Sequence, residues 1–258
     1  MGIHRTPDQL KPEIMKGTLR IIAEGGMDNF SFPKLTAVTG ISAPTVYEHF
    51  RNKEDLLARC FLYIERELAR RIELVVTDIP AATADTEVFE AYCRRLWESC
   101  WEYLTSDADR TEFYWNFYSS RYFTAEMRRK RKAIFSHFYQ FMCAASHQFS
   151  VTDRCNVELL LVNIITGTVG AAGKMLKGVY PNNEITKLTA YNMVFQPIFV
   201  LLGIQRRVQS ELRVEGADES VLPSEPEQNK RTVNQTGKGD EVESIRTECK
   251  GGLVSRGQ

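Results

Sequence analysis

The chain has 258 residues, a hydrophobic fraction of 43% and a formal net charge of +0. That length and apolar content suffice for a buried core, in one large or two small domains. The neutral balance excludes a chain whose bulk charge advertises a nucleic-acid partner, but it leaves room for a small local binding head.

No run of 18 or more apolar residues is evident, so no membrane span is expected. The N-terminal MGIHRTPDQLKPE lacks an apolar signal core, so a cytoplasmic location is expected. Six cysteines are scattered at positions 60, 93, 100, 143, 155 and 249. They form no CxxC pair and have no histidine at ligand spacing, so they read as buried or idle thiols; no metal or cofactor is expected.

Apolar residues recur at three- and four-residue steps nearly throughout, and alternating strand patterns are almost absent, so the fold class is all-α. The first helix runs from about residue 8 or 12 to Glu24, with Leu10, Ile14, Met15, Leu19, Ile22 and Ala23 on its apolar side. Gly25-Gly26 stops it. Ser31 then caps a short helix over 32–39, with Pro33 in its first turn and Gly40 at its end. Ser42 caps a very short helix over 43–50, with Pro44 in its first turn, and Asn52 caps a long one over 53–76 with Glu54 and Asp55 at its positive end. Further helices are expected over 86–105, 109–118, 124–149, 152–177 and 185–212. Residues 214–258 are polar and poor in large apolar side chains, and are expected to be disordered.

Two short helices joined by a glycine turn carry the most specific chemistry. Leu35, Val38, Ile41 and Val46 are expected to pack them together, leaving Ala43, Pro44, Thr45, Tyr47, Glu48 and His49 on the open side. A helix presented in this way fits the major groove of B-DNA, where its early residues reach base edges. Helix-glycine-helix corners alone are common in unrelated bundles; the caps, glycine, tyrosine, phenylalanine and lysine at fixed spacing make this one specific.

In this segment the chain resembles the DNA-binding domain of TetR-type transcriptional regulators. The resemblance lies in Ala23-Glu24-Gly25-Gly26-Met27, in Thr39-Gly40-Ile41-Ser42, and above all in Tyr47-Glu48-His49-Phe50-Arg51-Asn52-Lys53-Glu54-Asp55-Leu56. It covers roughly residues 10–60. It departs from the family at Thr36 and Thr39, where small apolar residues are usual. The head is also not strongly basic: Arg5, Lys11, Lys16, Arg20, Lys34, Arg51, Lys53 and Arg59 stand against seven acidic residues, and phosphate contacts dominate non-specific affinity.

The resemblance implies a DNA-binding domain over 1–56, a helical effector-binding and dimerisation domain over 57–213, and a homodimer on a palindromic double-stranded DNA operator. It implies phosphate contacts by Tyr47 and Lys53 and groove-facing positions at Pro44 and Thr45. Ala43 offers apolar surface beside them, and Ser31, Lys34 and Ser42 complete the expected interface. His49 and Phe50 are expected to be structural.

The body is expected to hold an unknown small-molecule effector among its aromatics. The candidate wall is Trp97, Trp101, Phe113, Asn116, Phe117 and Tyr118, against the plainer reading that these residues only fill the core. The basic run Arg128-Arg129-Lys130-Arg131-Lys132 reads first as a solvated face and second as a contact for an anion or for DNA. Leu159, Val162, Asn163, Thr166, Gly167, Val169, Gly170 and Gly173 suit close approach of helices. Tyr191, Val194, Phe195, Ile198, Phe199, Leu202 and Ile204 suit a dimer face; the rival reading buries both helices within one chain. The expected function is a ligand-responsive repressor. The alternative is a helical interaction protein whose head no longer binds DNA specifically. No nucleophile elbow, phosphate loop or HExxH motif points to an enzyme.

Overall fold

In the computed structural model the described residues are 7–76, 85–148 and 157–201, and every element among them is helical. Helix α1 (Pro7–Gly25) ends where Gly26 takes φ 76° and donates to Ile22 O at 2.7 Å, while the Asn29 side-chain amide donates to Ile21 O at 2.9 Å. These bonds satisfy carbonyls that the helix end would otherwise leave open. A 3-10 turn, Met27–Asn29, leads to α2 (Phe32–Thr39), and Gly40 at φ 69° turns the chain into α3 (Ala43–His49). Helix α4 (Lys53–Val76) is one continuous rod, so the domain boundary expected at residue 56 falls inside it.

The body adds α5 (Thr86–Thr105), α6 (Ala108–Tyr118), α7 (Ala125–Ile134), α8 (Ser136–Gln148), α9 (Val157–Leu176) and α10 (Glu184–Leu201). Asp85, Asp107 and Thr124 each cap the helix that follows by accepting from its first backbone N–H groups. The single helix expected over 124–149 is two. Phe135 leaves helical geometry at φ −94°, ψ 19°, its ring is buried, and the bend lets both α7 and α8 pack on α4. The parts of the expected helices at 149, 152–156 and 202–212, and the expected disordered segment 214–258, lie outside the described residues.

Aromatics fill the interior. Phe61 of α4 stacks on Phe117 of α6 at 4.5 Å between centroids, and Trp97 stacks on Trp101 at 4.8 Å while its indole N–H donates to Thr168 Oγ1 at 3.0 Å. A buried indole N–H needs such a partner, and α9 supplies it. The residues expected to face a dimer partner on α10 instead face inward: Tyr191, Val194, Phe195, Ile198 and Phe199 are all buried within the chain, and Leu202 and Ile204 lie outside the described residues. The expected small residues of α9 also serve the interior. A side chain at Gly167 would meet Val194 Cγ2 at 2.9 Å, one at Gly173 would meet Glu112 Oε1 at 3.2 Å, and Val169 is buried.

Cys60, Cys93 and Cys100 are buried free thiols, and burial pushes all three up, Cys100 to about 12. They are unreactive packing residues at neutral pH. Contrary to expectation, one described helix, at Glu158–Leu176 in α9, is long and apolar enough to cross a membrane by length and composition. It packs against α5, α6, α8 and α10.

Candidate nucleic-acid interface

The N-terminal helices are assembled from within. Ile14, Ile21, Ile22, Phe30, Leu35, Ile41, Val46, Phe50 and Leu56 are buried and lock α1, α2 and α3 onto the start of α4. Val38, expected among the packers, is 46% exposed. The reason lies one residue on. Thr39 turns its methyl onto Gly17 of α1, where any side chain would press well inside 3.0 Å of Thr39 Cγ2. That close approach fixes the rotation of α2 and carries Val38 outward. The Thr39 hydroxyl donates to Leu35 O at 2.7 Å and accepts from the Ile41 N–H at 3.2 Å, so it also braces the turn. The departure from the family pattern at position 39 is thus matched by a glycine at position 17.

The caps form as the sequence implies. Ser31 Oγ accepts from the Lys34 N–H and Ser42 Oγ accepts from the Thr45 N–H, each at 3.4 Å. Ser42 Oγ also lies 2.9 Å from Thr45 Oγ1. Both serines therefore hold helix starts, and Thr45 shares its hydroxyl with a cap. Pro44, Tyr47 and Glu48 are exposed, whereas Ala43, Thr45 and His49 are half-buried. Tyr47 is 51% exposed, its ring 4.8 Å from that of Phe32, so its phenol stands out from the surface on an aromatic base. Phe50 is buried, with the Arg59 guanidinium 5.6 Å from its ring centroid.

The two lysines expected at the interface are both engaged. Lys53 Nζ donates to Met27 O at 3.2 Å and to Phe30 O at 3.3 Å, and sits 5.5 Å from the Phe30 ring centroid. Two of its three N–H donors thus hold the loop between α1 and α2. Lys34 Nζ donates to Asn29 Oδ1. Arg20 pairs with Glu24 and Arg59 with Asp55, each at 3.0 Å. What remains outward on α3 is a small, mostly neutral surface of Pro44, Tyr47 and Glu48.

The expected effector wall is mostly core. Trp97, Trp101, Phe113 and Phe117 are buried against other side chains. The Asn116 side chain lies toward Gly26 at the end of α1. Of these residues, Tyr118 lines a cleft of the body, open to solvent, with a cavity volume of about 90 Å³. Tyr118, Phe123, Phe135, Phe138, Leu161 and Ile165 are among its apolar walls, and Arg128, Arg131 and Lys132 bring it positive charge. Those cations come from the basic run, whose five members the helix divides. Lys130 pairs outward with Glu126 at 2.7 Å, while Arg131 turns inward to Glu65 of α4 at 3.1 Å.

Glu65 is fully buried and also accepts from Tyr114 Oη at 2.5 Å. Burial pushes its carboxyl up, against the opposing pull of Arg131 and Tyr114. A buried, charged link between α4 and α7 carries no signal in the sequence, because the two residues lie 66 positions apart. Among the described residues no cluster of His, Cys, Asp and Glu fits a metal ion.

The family model for bacterial regulatory proteins of the tetR family matches residues 14–60. An uncharacterized HTH-type transcriptional regulator of Haemophilus influenzae is 26% identical over 95 residues, a match spanning 37% of this chain and 47% of that protein. A TetR family transcription regulator from Marinobacter aquaeolei superposes with a TM-score of 0.60 at 18% identity, over 73% of this chain and 95% of that one. The transcriptional regulator FadR from Bacillus subtilis, solved in complex with stearoyl-CoA, superposes with a TM-score of 0.53 at 17% identity, over 76% and 99% of the two chains. At these identities the solved structures share the fold. Together with the cap, glycine turn and Tyr47–Lys53 frame seen in place, the match at residues 14–60 shows an N-terminal head similar to that of bacterial regulatory proteins of the tetR family.

Proposed function

We propose that this protein is a cytoplasmic, homodimeric DNA-binding transcriptional regulator, a repressor released by a small molecule bound in its helical body. The observation that carries the DNA-binding part is the presentation of α3. Leu35, Ile41, Val46 and Phe50 anchor the helix pair from beneath, and Pro44 and Tyr47 stand clear above it. On docking, Tyr47 donates to a phosphate and sets register, while Pro44 and Ala43 meet apolar base edges such as the thymine methyl. Ser31, Ser42 and Thr45 act mainly by shaping the helix starts. Lys53 acts as a positioning residue for the loop beneath α2.

Assembly is supported by the outer stripe of α10, where Ile185, Met193, Val200 and Leu201 are exposed at helical spacing, Met193 at 74%. Leu159 of α9 is also exposed. Exposed apolar stripes of this kind mark association surfaces. A two-fold dimer presents two α3 helices to half-sites about 34–36 Å apart, so its operator is palindromic. A ligand releases DNA only if it binds one spacing of the heads better than the other.

Footprinting of the DNA flanking the protein's own gene tests this function. A protected palindrome is expected at low to moderate salt. A folded dimer that leaves no specific footprint at low salt refutes it. The pairing of Lys34 with Asn29, Arg20 with Glu24 and Arg59 with Asp55 at the surface favours one second reading, a helical interaction protein without specific DNA binding. A double variant Tyr47→Ala/Lys53→Ala with unaltered effects in the cell would support that reading.

A further inference from the structure

We propose that the cleft bounded by the end of α6, by α7, α8 and α9 binds an anionic amphiphile, its acidic head held by Arg128 and Lys132 and its apolar tail laid along Tyr118, Phe135, Phe138 and Ile165. The proposal rests on the reading of the body as an effector domain and names the ligand class of that domain. Three features carry it. The walls are aromatic and aliphatic over most of their area, which suits a tail and not a sugar or a nucleoside. The cations are confined to one side: positions 128, 131, 132 and 135 share one face of the chain through α7 and its end, so the basic run meets the apolar wall along a single line. With Arg131 paired to Glu65, the charge left at the cleft is still unbalanced, Arg128 and Lys132 standing against the single lining carboxylate of Glu158.

The three cations differ in how firmly they are held. Arg131 is committed to Glu65 at 3.1 Å. Lys132 reaches Glu158 only at 3.8 Å, with both side chains more than half exposed, and lies 4.9 Å from the Tyr139 ring centroid. Arg128 donates to Phe123 O at 3.4 Å from an exposed position. Arg128 and Lys132 therefore have donors to offer, and Arg131 sits behind them as the link to α4. A head group drawn to this rim competes for Arg131 with Glu65, whose second carboxylate oxygen, Oε2, is buried without a hydrogen-bond partner. Occupancy of the cleft is in this way coupled to the helix that begins beneath α3.

Carboxylate and phosphate heads share this chemistry, so the test uses both. The full-length dimer is titrated by calorimetry with palmitate, with palmitoyl-CoA, with coenzyme A alone and with uncharged methyl palmitate, below their micellar concentrations. The acid-headed amphiphiles are expected to bind at least roughly tenfold more tightly than the ester, a margin of one charge-assisted hydrogen bond. The variant Arg128→Ala/Lys132→Ala is expected to remove that margin. Val162→Trp, which fills the cleft, is expected to remove binding of every tailed probe. Palmitate against palmitoyl-CoA then tells a free acid from a thioester. Equal binding of ester and acid, or acid binding untouched by the rim variant, overturns the proposal. Loss of operator affinity in the ligand-free rim variant also overturns it, by assigning the basic run to DNA. Operator binding by the unliganded wild type is measured in parallel, so a failed cleft and a failed regulator remain distinguishable.

Discussion

Replacing Gly17 by alanine probes how the reading head is set. An alanine Cβ would press well inside 3.0 Å of Thr39 Cγ2 and come to 3.1 Å of Leu35 Cδ1. Leu35 has a flexible end and can yield, but Thr39 cannot. Its β-branched side chain is pinned by the bonds to Leu35 O at 2.7 Å and from the Ile41 N–H at 3.2 Å, so moving the methyl breaks both or displaces α2. Overpacking of a fixed site costs ~1–3 kcal/mol, and the pinned rotamer puts this case near the upper end. Alanine returns ~0.8–1 kcal/mol through its better helix propensity. The net expectation is a loss of about 2 kcal/mol, or a fall in Tm of about 4–8 °C for a unit of this size.

Thr39→Ser removes only the clashing methyl and keeps both hydrogen bonds, so Gly17→Ala/Thr39→Ser should recover most of the loss. Urea denaturation of the four proteins gives a coupling energy, expected at ~1–2 kcal/mol. Fluorescence anisotropy with an operator should follow the same order, because α2 carries the turn into α3. If Gly17→Ala stabilises the protein, as it would at an open helical glycine, the close approach is not what sets the head.

Three further outcomes are expected. Tyr47→Phe keeps the ring on Phe32 and removes the phenol donor, so operator affinity should fall by the worth of about one hydrogen bond, ~1 kcal/mol, with Tm unchanged; equal affinity would show that the hydroxyl meets no phosphate. Lys53→Met should lower stability while leaving the salt dependence of operator binding nearly intact, because its ammonium is spent on Met27 O and Phe30 O; a slope reduced by about 0.9 would instead place it on a phosphate. Arg131→Met strands the buried Glu65 carboxylate and should cost ~3–5 kcal/mol, largely restored by adding Glu65→Gln. The sign with pH follows from burial. With Arg131 gone, Glu65 holds its proton more tightly folded than unfolded, so the deficit should grow as pH rises from the carboxylate range toward its raised pKa; urea midpoints that do not change between mildly acidic and neutral pH would contradict it.

Much of the head was legible in the residues. Its signals are local: Ser31 and Ser42 as caps, Gly40 at positive φ, Asn52 before α4, and the apolar spacing of Leu35, Ile41 and Val46. Each depends on partners within a turn or two, which a linear sequence displays. Even there Val38 was misplaced, because its outward turn is decided by Gly17, about twenty positions earlier on another helix.

The body was legible as helices but not as a site. Periodicity marks an apolar face without saying what covers it. Tyr191, Val194 and Phe195 therefore looked as suited to a partner subunit as to the interior they occupy, and Trp97, Trp101, Phe113 and Phe117 as suited to a cavity as to a core. The cleft, the split of the basic run at α7, and the Glu65–Arg131 link exist only where separate helices cross. The physical reason is that helix type follows from local bonds and spacing, whereas a binding surface follows from which long-range contacts win the burial of each face. By itself the sequence determined an all-helical chain with a TetR-type head. The tertiary structure alone decided which side of each helix is buried and which is left exposed.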